Sequence, residues 1–321
     1  MQKKGIIIFI SVLALALIAI IVADVIKTRT DNRPDNPYAL EYDDLMHVDP
    51  ALISHKEVKN FRLSGDSVGA LITDTASIFV SVDHQILQLD FNGVLKNSIP
   101  VPEMARSMAF APDHNLLVGF SNHILKIDRK GNILVQTKPV NSNSVITNIV
   151  VYQSRILFAD AGNRTIYELD QHLNIINSFE GKREEGALHG FIVPSANFDL
   201  AFSGSGELWV VNPGLHAVEN YDSSGKMRSF WEATSFRLDG FSGCCNPARI
   251  TIMNNDSFVT SEKGIVRIKI HDPSGKFASV VAPPSAFKED GAAPDVAVNE
   301  NGVIYALDYD RNTIRVFEPI Q

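Results

Sequence analysis

The chain has few cysteines, no second long apolar segment and no long basic run in its β-rich part. Its two cysteines lie far from the N-terminal apolar segment, which excludes a lipid-modified cysteine there. The missing basic run and a formal net charge of −8 argue against nucleic-acid binding, since that affinity comes mainly from clustered Lys and Arg. Helical periodicity is almost absent after residue 56, so an all-β domain is expected.

The N-terminal segment from Gly5 to Ala23 contains no charged residue. A helix of this length spans about 28 Å, close to the hydrocarbon thickness of a bilayer. The run is longer than the roughly 7 to 15 apolar residues of a cleaved signal. The sequence therefore predicts a transmembrane signal-anchor in residues 1–27, although cleavage after Ala23 stays an alternative.

Three regions follow from this division of the chain. Residues 28–55 are polar and contain three prolines, which predicts a stalk, and residues 56–321 are β-rich. A very short tail ahead of the anchor usually stays in the cytoplasm. We therefore expect a single-pass protein of the cell membrane whose β domain lies on the extracytoplasmic side.

The β-rich region repeats one pattern six times: alternating strands separated by turns, with an acidic residue after the last strand of each copy. The acidic ends are Asp90, Asp128, Asp170, Asp222, Asp272 and Glu318. They lie between 38 and 52 residues apart, a period that suits a four-stranded propeller blade. Four copies continue as Asp-x-x-Gly, where glycine tolerates the positive φ of a hairpin. The sequence predicts a six-bladed β-propeller after one transmembrane helix.

The sixth copy ends at Glu318, too early to complete its own blade. Residues 57–63 alternate in a way that can supply the missing outer strand. We expect this segment to pair with residues 313–318, which removes the open edge of the ring.

The last copy carries the clearest motif. Pro294 precedes its inner strand, Gly302 lies in the first turn, Asp308 follows the second strand, and Asn312 opens an Asn-x-Ile-x-Val-Phe strand. These residues resemble an NHL repeat, as found in six-bladed propellers of the TolB-like superfamily, here of a membrane-anchored bacterial type. Such propellers include binding modules and enzymes, and a fold does not fix a function. We expect a module that binds an envelope protein or a small ligand, with no cofactor assigned.

The adjacent cysteines, Cys244 and Cys245, fall with Asn246 in the loop that leads into blade five. Three interpretations stay open: two small loop residues, a strained vicinal disulfide, or soft-metal ligation. Between a reducible disulfide and two free thiols, an extracytoplasmic rim favours the disulfide. A redox-linked accessory subunit is therefore one alternative function.

Histidines fall at turns on the same side of the propeller as the cysteines: His84, His123 and His216, with His189 in a neighbouring loop. Histidine and cysteine at one rim suit zinc or copper. These histidines belong to different blades, so they are weak candidates for one metal site.

Aligning the inner strands places a ring of residues at the mouth of the central channel. Its predicted members are Gly69, Ser107, Asn148, Asp199, Arg249 and Asp295. Lactonase-type enzymes of the gluconolactonase kind hold a divalent cation in such a channel, and a metal-dependent hydrolase is the other alternative. Arg249 opposes this, because its charge repels a cation. Polar residues that line a hydrated channel explain the same pattern.

Overall fold

The computed structural model describes residues 2–29, 45–182, 186–187 and 190–320, and within the N-terminal helix the side chains of residues 5 and 11–24. His189 and most of the predicted stalk lie outside these residues. The chain divides into two compact units, Met1–Glu41 and Tyr42–Gln321. The first contains helix α1, Gln2–Arg29. In the part of the chain that is described, no helix is both long and apolar enough to cross a membrane, so the predicted span is not confirmed.

The second unit confirms the predicted propeller: its described residues form six antiparallel four-stranded sheets. Blade one comprises β2 Val68–Thr73, β3 Ile78–Val82, β4 Gln85–Leu89 and β5 Leu95–Pro100. Blade two comprises β6 Ser107–Phe110, β7 Leu116–Gly119, β8 Ile124–Ile127 and β9 Ile133–Gln136. Blade three comprises β10 Ile146–Tyr152, β11 Arg155–Asp160, β12 Thr165–Leu169 and β13 Ile175–Phe179.

The other three blades repeat this order along the chain. Blade four comprises β14 Leu200–Phe202, β15 Leu208–Asn212, β16 Ala217–Tyr221 and β17 Met227–Glu232. Blade five comprises β18 Arg249–Ile252, β19 Phe258–Glu262, β20 Arg267–His271 and β21 Phe277–Ala282. Blade six comprises β22 Asp295–Val298, β23 Ile304–Asp308, β24 Thr313–Pro319 and, from the start of the domain, β1 His55–Arg62.

The predicted ring closure is confirmed. Strand β1 pairs antiparallel with β24, from His55 opposite Pro319 to Arg62 opposite Thr313. Contacts begin one residue earlier, because the Ser54 N–H donates to the Val280 carbonyl of blade five at 2.9 Å. The Ile320 N–H in turn donates to the Ser54 carbonyl at 2.8 Å. Both ends of the domain are thus fixed to the same blades.

The core of the propeller lies between the blades. Among the described residues, one hydrophobic cluster fills each of the six interfaces between adjacent blades. Most members of these clusters come from the inner and middle strands of the two facing sheets. Phe79 and Phe120, for example, are fully buried between blades one and two. Because the aliphatic side chains of each sheet face its neighbours, burial stabilises the ring as a whole.

The Asp-x-x-Gly turns also join neighbouring blades. Asp222 accepts hydrogen bonds from the N–H groups two and four residues later, and Gly225 adopts φ +79°. A Cβ on Gly225 would lie 2.6 Å from Phe179 of the preceding blade. Gly275 lies in the same way against Trp231. The repeated glycine is therefore required both by the turn and by the close approach of the next blade.

Candidate functional site

The six inner strands line a central cavity of about 300 Å³. One equivalent position at the start of each strand forms a ring at the channel mouth. Its members are Ala70, Ser107, Asn148, Asp199, Arg249 and Asp295. Gly69 was predicted in place of Ala70, and that prediction is wrong because a bulge in β2 between Val68 and Leu71 shifts its register by one residue. The other five predicted positions lie in the ring together.

The two carboxylates of the ring each bind the backbone of the following blade. Asp199 Oδ2 accepts the Ile250 N–H at 2.9 Å, and Oδ1 accepts the Leu200 N–H at 3.0 Å. Asp295 Oδ2 accepts the Leu71 N–H at 2.9 Å. Each aspartate therefore connects the start of its own inner strand to the inner strand of the next blade. Asp199 connects blade four to blade five, and Asp295 connects blade six to blade one.

Asn148 extends this arrangement to blade three. Its Nδ2 donates to the Leu200 carbonyl at 3.0 Å and also to Asp199 Oδ1. Asn148, Asp199 and Asp295 thus use oxygen or nitrogen atoms of their side chains to hold the ring. The oxygen atoms of Asp199 and Asp295 already accept backbone N–H groups, which leaves them less available to ligate a hard cation.

Arg249 differs from the other members of the ring. One terminal nitrogen, Nη1, donates to the Thr147 carbonyl at 3.3 Å. Its Nε is buried and has no hydrogen-bond partner among the described residues. Tyr309 lies beside it and donates its hydroxyl to the Gly69 carbonyl at 2.9 Å. The guanidinium therefore contains a donor for which the described residues supply no acceptor.

Burial governs the charges of the ring. It raises the pKa of Asp199 to about 7, an effect that Arg249 opposes and Asp295 reinforces. Burial likewise raises the pKa of Asp295, and the positive charge of Arg249 again opposes that increase. Burial would lower the pKa of Arg249, but Tyr309, Asp295 and Asp199 together hold it above its ordinary value. Near neutral pH the ring therefore keeps its arginine charged while Asp199 is close to its titration midpoint.

A second recess of about 160 Å³ opens at the same mouth. It includes Met104, Thr147, Ala196 and Tyr309, and the charged residues among its described lining are Arg106 and Arg249. Arg106 and Arg249 also line the central cavity. The two arginines therefore lie where the recess and the channel meet.

The cysteine pair lies on the rim in the loop before β18. Cys244 is exposed and Cys245 is buried, and their sulfur atoms are 3.2 Å apart as free thiols. The expected vicinal disulfide is thus not formed in this structure. Asn246 holds the loop: its Nδ2 donates to the Ser242 carbonyl at 2.7 Å, and its Oδ1 accepts the Lys263 N–H at 2.9 Å.

The two thiols differ in acidity. The hydrogen bond and the charge of Cys245 raise the pKa of Cys244. Burial alone would raise the pKa of Cys245, but hydrogen bonds with Ser195, Cys244 and Lys263 outweigh it and lower that pKa. The buried sulfur is therefore the preferred thiolate of the pair.

The three predicted histidines do not meet. His84 Nδ1 contacts the Pro102 carbonyl at 2.8 Å, and His123 stacks on Phe120. His216 uses both ring nitrogens, toward Thr234 Oγ1 at 3.1 Å and the Gly243 carbonyl at 2.5 Å. Within the described residues no three His, Cys, Asp or Glu side chains are grouped to hold a metal ion.

Some residues of the site were missed from the sequence. Tyr309 and Arg106 were not predicted to reach the channel, and Lys263 was not linked to the cysteines. Arg106 directly precedes the ring position Ser107, which was a usable signal. The other two lie in turns after second strands, whose direction the repeat pattern does not fix.

Comparison with solved structures shows similarity in fold. The streptogramin B lyase structure matches with a TM-score of 0.58 at 13% identity, over 85% of this chain and 100% of that one. Virginiamycin B lyase from Staphylococcus aureus matches with a TM-score of 0.54 at 17% identity, over 82% of this chain and 88% of that one. A Bacteroides caccae protein of unknown function matches with a TM-score of 0.54 at 17% identity, over 71% of this chain and 86% of that one. No family model and no curated protein matches the chain, so membership of the NHL-repeat proteins is not confirmed.

Proposed function

We propose that this protein is a binding module whose channel mouth holds a compact anionic ligand on Arg249. The observation that carries the proposal is the buried Arg249 Nε without a partner. A buried donor left unsatisfied costs about 1–3 kcal/mol, and a charged one costs more, so such a group in a cavity favours a ligand that supplies an acceptor.

The surroundings of Arg249 favour negative charge in that ligand. Arg106 is the other charged residue of the mouth recess, whereas the oxygens of Asp199 and Asp295 already accept backbone N–H groups. Arginine binds carboxylate and other oxyanions through charge-assisted hydrogen bonds. The recess of about 160 Å³ is smaller than the sites that hold drug-sized ligands, so a small carboxylate or inorganic oxyanion fits best.

The test uses sulfate, phosphate, oxalate and malonate as probes, at constant ionic strength. Binding to the folded state raises the unfolding midpoint with probe concentration, and calorimetry gives the affinity. We expect Arg249→Met to remove the effect of the best probe and Arg106→Met, an exposed and structurally mild change, to weaken it. Arg228→Met is the matched control, because Arg228 is exposed on the outer strand of blade four and pairs with Glu207. A probe effect that survives both mouth variants, or no effect of any probe on the native protein, contradicts the proposal.

Enzymatic activity is a second candidate, favoured by the pKa of about 7 at Asp199 beside the cavity. A carboxylate with this pKa is suited to proton transfer near neutral pH. Two similar structures are described as lyases of streptogramin B and virginiamycin B, so incubation with virginiamycin B is the direct assay. Conversion of the substrate to a product with a different chromatographic retention by native protein, but not by Asp199→Asn, would favour this candidate. The engaged oxygens of Asp199 make binding the better-supported function.

The metal-dependent hydrolase gains no support, because Asp199 and Asp295 already accept backbone N–H groups and the charged Arg249 lies between them in the ring. The redox-linked alternative depends on Cys244 and Cys245. Extracytoplasmic location at the cell membrane and an envelope partner stay proposals that the uncharged segment of residues 5–23 favours. Recovery of the full-length chain in the soluble fraction after cell breakage would contradict anchoring.

A further inference from the structure

The rim cysteines belong to a loop whose backbone is hydrogen-bonded to buried charged side chains. Arg267 Nη2 and Lys269 Nζ both donate to the Gly240 carbonyl, at 2.9 and 2.6 Å. Glu262 forms an ion pair with each of them, with Oε1 at 2.7 Å from Arg267 Nε and 2.9 Å from Lys269 Nζ. Asn246 fixes the other end of the loop to Lys263. The two sulfur atoms are therefore presented by an ordered segment.

A dithiol is the favoured state of this pair. Adjacent Cα atoms lie about 3.8 Å apart, below the roughly 4.4–6.8 Å of ordinary disulfides, so a bridge between neighbours is strained and easily reduced. A strained disulfide has the more oxidising potential, which shifts the equilibrium toward two thiols. The pair is thus better suited to bind a thiophile than to store a disulfide.

The spacing of the sulfur atoms selects the kind of thiophile. With bonds of about 2.3 Å from sulfur to a soft centre, a separation of 3.2 Å gives an angle near 90° at that centre. Soft ions that prefer linear ligation do not fit this angle, and tetrahedral zinc needs a wider one and further ligands. The described residues supply no third His, Cys, Asp or Glu. A pyramidal centre that brings its own third substituent fits both restrictions.

We propose that Cys244 and Cys245 form a vicinal-dithiol site for monosubstituted trivalent arsenic or antimony compounds. The reaction is a condensation without oxidation or reduction. Two bonds form between the centre and the sulfur atoms, the bonds from the centre to oxygen break, and the oxygen leaves as water with the two thiol protons. Cys244 is the accessible sulfur that an incoming compound meets first, and Cys245 closes the chelate from within.

Charge near the pair assists the second step. Lys263 and Ser195 stabilise the Cys245 thiolate, which is the reactive form of cysteine. Ser195 precedes Ala196, which lines the mouth recess, so an organic substituent on the bound centre would extend toward the channel. The dithiol site is independent of Arg249 and does not require the proposed anion site.

The experiment uses phenylarsine oxide with the full chain isolated without reductant. Because the chain has only these two cysteines, every thiol adduct reports on the pair. We expect two alkylatable thiols before treatment, and afterwards one adduct with the mass of the probe less one water and no alkylation. Excess ethanedithiol should release the adduct, whereas excess 2-mercaptoethanol should not.

Three variants make the outcome decisive. Cys244→Ser and Cys245→Ser each leave one thiol, and their adducts should be lost in 2-mercaptoethanol. Ser195→Ala retains both thiols and should move the pH at which the adduct forms upward, which a purely structural role of Ser195 would not do. Equal retention by a single-cysteine variant overturns the chelate. Protein that accepts no alkyl label until it is reduced contains the disulfide and overturns the proposal as well.

Discussion

Arg315 in β24 forms a two-point ion pair with Glu57 in β1, with Nη2 at 2.5 Å from Oε2 and Nε at 3.2 Å from Oε1. These residues lie at opposite ends of the propeller sequence. Their pairing fixes the register of the two strands that complete blade six. The guanidinium also packs over Phe287 and Phe317, so the pair is shielded from solvent on one side.

Deletion of β1 should destabilise the whole ring. A chain that begins at residue 64 leaves one edge of β24 unpaired, because β1 is its outer neighbour. We expect a lower, still cooperative unfolding midpoint by circular dichroism relative to a chain that begins at residue 45. Equal midpoints for the two truncated chains would show that closure by β1 contributes nothing to stability.

Asp199 should make stability depend on pH. Its pKa is about 7 in the folded protein against 3.8 as the ordinary value, so folding retains a proton that the unfolded chain releases. The contribution of this group is greatest below pH 3.8 and is lost as pH rises through 7, by on the order of 4 kcal/mol at most.

The variant Asp199→Asn removes this titration. Chemical denaturation at pH 5 and pH 8 measures the free energy of unfolding of both proteins, so that all other groups cancel in the difference. At pH 5 we expect Asp199→Asn to be less stable than the native protein, because its amide accepts one fewer backbone N–H. At pH 8 the difference in free energy of unfolding between the two proteins should be smaller, because the native protein has lost the contribution of protonated Asp199. A difference that does not change with pH contradicts the shifted pKa.

The buried cluster around Glu262 should be sensitive to loss of this carboxylate. Glu262→Gln removes the carboxylate that pairs directly with buried Arg267 and Lys269, which costs about 3–5 kcal/mol. The control is Glu207→Gln, whose exposed pair with Arg228 contributes about 1 kcal/mol or less. Denaturation midpoints compare the two. Similar small effects would mean that the cluster does not require its negative charge.

Gly275 should not tolerate a side chain. It has φ +85°, and a Cβ would lie 2.2 Å from Trp231 Cγ in the preceding blade. Gly275→Ala should therefore lower stability by more than about 1 kcal/mol. Gly204→Ala, where nothing lies within 4 Å, should change it little. Equal melting temperatures of the two variants would contradict the role of this turn in blade packing.

The sequence predicted the architecture because the repeat makes each local pattern reinforce the others. Alternating apolar residues, turn glycines and the incomplete last copy together indicated six blades and closure by β1. The predicted ring was displaced at one position, Ala70, because a bulge changes register without altering composition.

Side-chain direction within loops could not be obtained in the same way. Tyr309 reaches the channel, and Lys263 reaches Cys245, from turns whose backbone course depends on their neighbours. The burial of Arg267 and Lys269 was also not predicted, since charged residues that alternate along a strand usually face solvent. Their burial is explained by contacts with Glu262 and with the carbonyl groups of the loop that ends at Gly240.

Pairing of β1 with β24 has a consequence for the order of synthesis. The first strand of the propeller leaves the ribosome before any other, yet its partner is the last to emerge. Until β24 has been synthesised, the nascent chain contains five complete blades and an unpaired β1, and pairing over such a sequence distance is slow. A premature stop that removes only β24 would leave two unpaired strand edges, which cellular quality control is well placed to recognise.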